Sequence, residues 1–333
     1  MAELCLGGLY TSSLAGGVSE TTRLLAVAHE AGVRWIDTAP AYADSEATLG
    51  RALGELGTRA EDFRISTKLG GRPQPFDPQD AAALRASVEE SRKLLGRDRF
   101  EILHLHEPDR PRQYRWWTSW SPVRGPVLDV LDDLRQRAVV ERTGVAGTTV
   151  TELTHLVRSG LFDAVLTAFN ANALFREAAA ELLPAARERG MTTLVGSILG
   201  QGCLAKRFDA LVTAPVSERP FWLAAKRAEQ LAGLYRLSER SGLSLPELAV
   251  RHARQWEVNL VLVGARTEEQ LVGSLAAWHR GELPADVTEE LDRLAALLPQ
   301  RPFEEPMILP LGRDYDGAGP ANVGAAVKVG QGD

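Results

Sequence analysis

The sequence predicts an α/β fold, a (β/α)8 TIM barrel formed as a single domain with an extra C-terminal helix. Three observations support this prediction. Short β-rich runs alternate with longer helical patterns along most of the 333 residues, eight such units can be counted, and no shift in composition separates them. Strands separated by helices pair in parallel through right-handed crossovers, and eight of them suit a closed barrel.

The first four strands are predicted at residues 4–10, 33–38, 63–69 and 100–106. A helix that Ser19 can cap and that Gly32 ends follows the first strand. The helices after the other three strands are predicted at 45–56, about 80–95 with Gly96 as its end, and 125–137.

The second four strands are predicted at residues 139–147, 163–170, 191–198 and 258–265. The helices that follow them are predicted at 150–159, 174–189, 222–241, 245–256 and 268–278, and the extra helix at 286–298. The barrel domain therefore spans residues 1–300. Residues 301–333 lose periodicity and gain glycine and proline, which predicts a surface strap that is partly disordered.

Composition excludes several classes of protein. Apolar residues make up 44% of the chain and charged residues 25%, an ordinary globular balance, and the net charge of −6 is spread without a basic patch, so nucleic acid is not expected as a partner. No stretch approaches the roughly 20 apolar residues that cross a bilayer, and no signal peptide is visible, so we expect a cytoplasmic protein. Cys5 and Cys203 have no metal-type spacing, which predicts buried thiols and no metal site.

An open doubly wound sheet is the alternative fold. It usually has fewer strands and a glycine-rich first turn. The sequence has no G-x-G-x-x-G after a strand and no G-x-x-x-x-G-K-[ST], so a Rossmann or P-loop nucleotide site has no support.

Polar residues at the ends of three adjacent strands predict an active site. In a TIM barrel, catalytic residues lie at the C-terminal ends of the strands. Asp37 ends the second strand, Lys68 the third and His106 the fourth, and Tyr42 follows Asp37 by five residues. Singly, each could be a cap, a solvated lysine or a packing residue, but four titratable groups converging on one mouth predict acid–base chemistry.

The segment FEILHLHEPD contains two histidines on the same face of the fourth strand. His106 is expected at the mouth, and His104 roughly 6–7 Å deeper, in a layer that apolar side chains normally fill. We therefore predict that His106 is catalytic and that His104 is a buried, hydrogen-bonded core residue.

Four segments resemble the signature segments of the aldo-keto reductases: GVRWIDTAPAYADSEATLGRAL, RISTKLGG, LLGRDRFEILHLHEPD and LVLVGARTEEQLVGSL. The resemblance extends from residue 4 to about 300, and it is greatest to bacterial dehydrogenases of galactose- or fucose-type aldoses. It implies a (β/α)8 fold, NADP(H) or NAD(H) as cofactor, and a catalytic tetrad of Asp37, Tyr42, Lys68 and His106.

The chemistry of hydride transfer explains the residue types of this tetrad. A hydride that reaches a carbonyl carbon leaves negative charge on the oxygen, which then needs a proton. Tyr42 would supply it, and Lys68, paired with Asp37, is expected to lower the pKa of Tyr42 from its usual value near 10. His106 would hydrogen-bond the substrate oxygen.

The adenosine end of the cofactor is expected near Arg266. Thr267 and Gln270 form a capping-box pattern, and a helix N-terminus with a nearby arginine suits a phosphate. The resemblance implies that Arg266 and Gln270 meet the adenosine phosphate end, which favours NADP over NAD; an ordinary capped surface helix is the alternative. The other predicted cofactor contacts are Asn170, Ser197, Leu199, Gly202, Gly264 and Ser274.

Four positions depart from the family pattern. Ala146 and Gly147 stand where many members carry Ser-Asn, which hold the nicotinamide amide. Gly196 stands at the position of a tyrosine that stacks on nicotinamide, and Ser274 at that of an asparagine. Asn170 could replace part of the missing contacts.

The loop after His106 carries YRWWTSW, and Trp116, Trp117 and Trp120 are predicted to contact substrate. Packing of these rings onto the barrel is the alternative.

Three functions stay open: a nicotinamide-dependent oxidoreductase for an aldose, aldehyde or ketone; a barrel enzyme that uses the tetrad for non-redox chemistry on a sugar-like substrate; and a cofactor-binding regulatory protein with little turnover. The partner is expected to be a small carbonyl or sugar molecule, and the sequence predicts no oligomeric state.

Overall fold

The computed structural model describes residues 2–72, 76–110, 115–220 and 222–300. Eight strands close a parallel barrel in the order β1-β10-β9-β8-β7-β4-β3-β2, and two further strands, β5 and β6, form a separate antiparallel hairpin. In chain order the strands are β1 (Glu3–Gly7), β2 (Trp35–Asp37), β3 (Arg64–Leu69), β4 (Phe100–His106), β5 (Ser119–Trp120), β6 (Val123–Arg124), β7 (Val140–Gly147), β8 (Ala164–Ala168), β9 (Thr192–Gly196) and β10 (Leu260–Val263).

Helices surround the barrel, as predicted from the alternating pattern. In chain order they are α1 (Gly17–Glu30), α2 (Ser45–Leu56), α3 (Ala81–Leu95), α4 (Pro126–Gln136), α5 (Val150–Ser159), α6 (Leu182–Glu188), α7 (Asp209–Thr213), α8 (Ala225–Ser241), α9 (Leu245–Ala253), α10 (Glu268–His279) and α11 (Ala285–Leu297). The (β/α)8 barrel is therefore confirmed, with α11 as the extra helix after the last unit.

Strand alternation divides the core into two layers. Inward-facing residues fill the barrel, while their neighbours along each strand pack against the helices. The interior cluster consists of Cys5, Trp35, Ile102, Ala146, Ala164, Leu166, Leu194, Leu260 and Leu262. The layer between barrel and helices includes Leu4, Leu6, Ile36, Ile65, Leu103, Leu105, Val145, Val165, Val195, Val261 and Val263.

Several helix boundaries differ from the sequence predictions by a few residues, among them the start of α8 and the end of α9, and the starts of α1 and α6 differ for a clear local reason. α1 begins after Gly16, whose φ of 102° turns the chain into the helix, so Ser19 lies inside the first turn and is not the cap. α6 is shorter than the predicted 174–189, because the Asn172 side chain accepts hydrogen bonds from the backbone of Leu174 and Phe175, 2.9 Å each, and forms a turn where the helix was expected to start.

The predicted C-terminal strap, residues 301–333, lies outside the described residues. Within the described ranges, no helix has both the length and the apolar character needed to cross a membrane.

Candidate active site

The ends of β2 and β3 hold a buried ion pair. Lys68 Nζ donates to Asp37 Oδ1 over 2.6 Å and to the backbone oxygen of Thr38 over 2.8 Å. Ser66 donates to the other carboxylate oxygen of Asp37 over 2.8 Å. The side chains of Lys68 and Asp37 are 1% and 2% exposed, so each charge depends on the other for compensation.

Tyr42 lies beside this pair, in the loop between β2 and α2. Its ring centroid is 4.7 Å from Lys68 Nζ. The His106 ring approaches it edge to face, with the centroids 5.7 Å apart and an interplanar angle of 83°. The structure thus brings together the four residues predicted from three adjacent strand ends.

The pKa values in this cluster follow from burial and from Lys68. Burial lowers the pKa of Lys68, but the Asp37 carboxylate and the Tyr42 hydroxyl together raise it above its usual value. Burial raises the pKa of Tyr42, and the Lys68 ammonium offsets only part of that rise. The expected influence of Lys68 on Tyr42 therefore has the predicted sign, but the net pKa of Tyr42 is raised rather than lowered, because desolvation is the larger effect.

The two histidines of β4 face the barrel interior, as predicted. His104 is fully buried, and a Cβ at Gly144 on the neighbouring strand β7 would lie 2.5 Å from its Nδ1. Burial and the nearby Lys68 lower the pKa of His104 to about 3. Burial, Lys68, His104 and Arg110 lower that of His106 well below its usual value, so both rings are neutral at neutral pH.

The predicted hydrogen-bond partner of His104 is not found among the described residues. Neither ring nitrogen makes a hydrogen bond. The Val145 backbone, which raises the pKa of His104 slightly, falls short of hydrogen-bond geometry. The burial of His104 is as predicted, but the expected partner was wrong for the part of the chain described.

Strained backbone is concentrated around this mouth. Four of the non-glycine residues described have positive φ angles, between 51° and 71°, and lie at this mouth. They are Ala43 beside Tyr42, Glu107 beside His106, Phe169 beside Asn170, and Ser197 directly after β9. Only Ala138, with φ of 56°, lies elsewhere, in the connection between α4 and β7. Left-handed backbone is costly for such residues and persists where surrounding structure enforces it.

A second polar cluster joins the ends of β4, β7 and β8. Asp109 is 1% exposed, and its Oδ2 accepts from the backbone N–H groups of Thr148 and Thr149 over 2.8 and 2.7 Å. Asn170 Nδ2 donates to the Thr148 backbone oxygen over 2.8 Å and to Thr167 Oγ1 over 3.1 Å. Sequence reasoning missed Asp109, although its position three residues after His106 was a usable signal.

The turn after β9 is compact. The backbone N–H of Gly200 donates to Ser197 over 2.8 Å, and that of Gly202 donates to Leu199 over 3.0 Å. Ser197, Leu199 and Gly202 are all partly exposed. The N–H of Gly202, one of the predicted cofactor contacts, therefore already has a partner inside the turn.

The N-terminus of α10 carries two side-chain caps and a carboxylate from α1. Thr267 Oγ1 accepts from the backbone of Gln270 over 3.3 Å, and Gln270 Oε1 accepts from the backbone of Arg266 over 2.9 Å. The Arg266 guanidinium stacks 5.0 Å from the Tyr10 ring centroid. Glu20 Oε1 accepts from the backbone of Glu268 over 3.1 Å, an interaction that sequence reasoning missed because the two residues are 248 positions apart.

Ser274 and Gly264 occupy different surroundings. Ser274 is 5% exposed and lines a small cavity with Leu4, Leu6 and Leu271, between β1, β10 and α10. On α10, Ser274 lies one turn after Gln270, on the same side of the helix. Gly264, at the end of β10, is partly exposed beside the Tyr10 ring.

The tryptophans after β4 pack the loop onto the helical layer. Trp116 is fully buried and contacts Phe76, with the ring centroids 5.4 Å apart, so the prediction that it contacts substrate needs correction. Trp117 packs near Phe162, and Trp120 stacks on His155 of α5 at 4.5 Å. The hairpin β5–β6 turns the chain back towards α4, which explains why these rings pack against helices.

Both cysteines are buried free thiols, as predicted. Burial raises the pKa of Cys5 well above its usual value, which leaves it unreactive at neutral pH. Among the described residues, no three His, Cys, Asp or Glu side chains cluster in a way that could hold a metal ion.

Known proteins resemble this chain over nearly its full length. It is 29% identical over 310 residues to D-threo-aldose 1-dehydrogenase from a Pseudomonas species, which covers 84% of this chain and 89% of that protein. It is 26% identical over 304 residues to L-galactose dehydrogenase from Arabidopsis thaliana, with 88% and 89% covered. The holo form of an aldo-keto reductase from Bacillus halodurans shares the fold, with a TM-score of 0.67 and 21% identity over 88% of this chain and 92% of that chain.

The family model named "Aldo/keto reductase family" matches residues 3–296, which include every strand of the barrel and the four residues Asp37, Tyr42, Lys68 and His106. Members of this family are oxidoreductases that use nicotinamide cofactors. The chain therefore belongs to the aldo/keto reductase family and is an oxidoreductase of that type.

Proposed function

We propose that this protein transfers a hydride between a nicotinamide cofactor and the carbonyl or alcohol carbon of an aldose, aldehyde or ketone, with Tyr42 as the general acid or base. The observation that carries the proposal is the buried pair of Lys68 and Asp37, 2.6 Å apart, directly beside the Tyr42 ring. An ammonium in that position is paired, desolvated and charged at neutral pH, so it stabilises negative charge on a neighbouring tyrosine oxygen.

The proposed roles follow from the protonation states. A bound nicotinamide would supply or accept the hydride. Tyr42, whose pKa is raised by burial, carries its proton at neutral pH and can donate it to a substrate oxygen during reduction. During oxidation Tyr42 must lose that proton, and the Lys68 ammonium favours the tyrosinate. His106, neutral because its pKa is well below the usual value, can donate one hydrogen bond to the substrate oxygen without adding charge.

The cofactor side fits a nicotinamide nucleotide at the end where the phosphate would bind. Arg266 and the N-terminus of α10 provide positive charge for a phosphate. We propose that this site is lined by the predicted cofactor contacts, which are Asn170, Ser197, Leu199, Gly202, Gly264, Arg266, Gln270 and Ser274.

Two observations bear on the choice between NADP and NAD. Arg266 favours NADP, because a guanidinium suits an extra phosphate. The Glu20 carboxylate at the same helix end disfavours it, and Arg23, which pairs with Glu20, holds the pKa of that carboxyl below its usual value and keeps it charged. We propose NADP as the cofactor, with NAD as the alternative.

The substrate class is supported by the named relatives. Two of them are an aldose dehydrogenase and a galactose dehydrogenase, which favours an aldose as substrate. Trp117 and Trp120 contribute to a substrate wall only through their partly exposed edges. Residues 1–300 as one catalytic domain and a cytoplasmic location stay predictions of the sequence.

The test is an absorbance assay with purified protein. NADP+ or NAD+ with a panel of aldoses, and NADPH with aldehydes, should show turnover that falls by about 10²–10⁴-fold in Tyr42→Phe, with the cofactor dissociation constant unchanged. Absence of nicotinamide nucleotide binding by the intact protein would contradict the proposal. Binding without Tyr42-dependent turnover would favour a regulatory protein, and Tyr42-dependent conversion without an absorbance change would favour non-redox chemistry.

A further inference from the structure

Gly147 has no side chain, and the carboxylate of Asp109 fills the space where one would lie. A Cβ at Gly147 would be 2.3 Å from Cγ and Oδ1 of Asp109 and 2.4 Å from Oδ2. The two residues belong to different units, since Gly147 ends β7 and Asp109 lies three residues beyond the end of β4. The Asp109 carboxylate therefore projects over β7 in place of the missing side chain.

Hydrogen bonds fix the Asp109 segment on the turn between β7 and α5. The backbone N–H of Glu107 donates to Ala146 over 2.7 Å. Asp109 Oδ2 accepts from Thr148 and Thr149, and Arg110 Nη2 donates to Thr148 Oγ1 over 2.8 Å. A carboxylate anchored in this way has a defined position beside His106 and the mouth of the barrel.

One oxygen of this carboxylate has no partner among the residues that the structure describes. Asp109 Oδ1 is buried and makes no hydrogen bond to any described residue. Buried carboxylate oxygens normally have donors, and where bulk water is excluded the donor must come from the protein or from a bound molecule. Because Asn170 on the opposite side of the turn already uses both hydrogens of its side-chain nitrogen, it does not supply that donor.

We propose that Asp109 is a cofactor-positioning residue whose Oδ1 accepts a hydrogen bond from the nicotinamide carboxamide N–H, in place of the side chains that Ala146 and Gly147 lack. This inference rests on the proposed function. It also has a consequence for charge, because a carboxylate favours the positively charged, oxidised nicotinamide ring over the neutral, reduced ring.

A purely structural role would differ in its effects. Asp109 also caps the turn before α5, so removing it is expected to lower thermal stability in any case. If Asp109 acted only as a cap, its removal would not weaken binding of the nicotinamide half of the cofactor more than binding of the adenosine half. Binding of the two halves therefore separates the two roles.

The experiment measures the dissociation constants of NADP+ and of 2′-phospho-ADP-ribose, a fragment that lacks the nicotinamide, by tryptophan fluorescence or calorimetry. If the protein prefers NAD, then NAD+ and ADP-ribose are used instead. In Asp109→Asn and Asp109→Ala we expect the dissociation constant of NADP+ to rise roughly tenfold or more, and that of the fragment by less than about twofold. Asp109→Asn should also weaken NADP+ binding more than NADPH binding.

A matched pair of variants tests the spatial substitution. Gly147→Asn alone should weaken NADP+ binding, because its Cβ would overlap the Asp109 carboxylate. Asp109→Ala/Gly147→Asn should restore NADP+ binding to within about threefold of the original protein, since the new amide occupies the vacated space. Failure of this restoration, with folded protein by thermal unfolding, would overturn the proposal.

Two further outcomes would also overturn it. Equal losses for NADP+ and the fragment, or unchanged NADP+ binding with lowered thermal stability, would leave Asp109 as a cap only. If the unmodified protein binds no nicotinamide nucleotide, the first titration shows it before any variant is made, and the proposed function and this inference both fail.

Discussion

The two sides of the barrel mouth are built in different ways. The acid–base side, at the ends of β2, β3 and β4, consists of inward-facing strand residues whose charges compensate one another, with Lys68 and Asp37 joined over 2.6 Å. The cofactor side, at the ends of β7 to β10, consists of turns and a helix end where several backbone donors already have partners, such as the N–H groups of Gly202 and Gln270. On the proposed function, the first side is preorganised for charge development, whereas the second would exchange some of these contacts when a phosphate binds.

Removing Lys68 should break the acid–base side with the largest effect. In Lys68→Met we expect turnover to fall by about 10²–10⁴-fold with little change in cofactor affinity. Because Lys68 opposes the effect of burial on the pKa of Tyr42, its loss should raise that pKa further. The oxidation rate, which rises with pH as Tyr42 loses its proton, should then rise only at higher pH. Rates measured from pH 6 to 10 test this.

The controls for Lys68 address stability and general charge. Asp37→Asn/Lys68→Met avoids an unpaired buried carboxylate, and Lys226→Met removes an exposed lysine that pairs with Glu229. An unchanged pH profile in a folded double variant would contradict the role of Lys68.

The histidine beneath this side should make the fold sensitive to acid. The folded-state pKa of His104, about 3, lies below the usual 6.5, so the unfolded chain binds the proton more readily. The resulting stabilisation is present above pH 6.5 and is lost as pH falls towards 3, by at most about 5 kcal/mol at roughly 1.4 kcal/mol per pH unit. In His104→Leu the loss on acidification should be smaller.

Urea unfolding at pH 7, 5.5 and 4.5 checks this prediction. His279→Gln, at an exposed position of α10, serves as the control and should leave the pH dependence unchanged. An equal acid sensitivity in His104→Leu and in the unmodified protein would show that the other buried histidines account for it.

A change at the cofactor side should have the smallest effect. Glu20→Gln removes the negative charge at the N-terminus of α10, so the ratio of the dissociation constants should shift towards NADP+ over NAD+ by about two- to fivefold. Glu30→Gln, at the other end of α1, is the matched control. Equal shifts for both cofactors would show that Glu20 does not act on the extra phosphate.

The sequence predicted the acid–base side well because period-two alternation determines which strand residues face inward. That rule places His104, His106 and Lys68 inside and Leu103 and Leu105 outside. Tyr42 follows at a fixed short distance along the chain. Local geometry therefore determined most of this cluster.

The cofactor side and the loop could not be predicted in the same way. Whether Trp116 covers the mouth or packs against helices depends on the hairpin β5–β6, which has only two residues per strand. Asp109 and Glu20 contact backbone groups 39 and 248 positions away, which no local pattern indicates.

The seam between β1 and β10 has a consequence for folding. Leu6 pairs with Val263, so the ring of strands closes only through residues at opposite ends of the domain. Contacts of such high sequence separation slow folding, because the loop-closure entropy is lost before the pairing compensates it. During synthesis β1 can pair with β2 early, but its other edge stays open until β10 has left the ribosome, and an open edge is where chains associate wrongly.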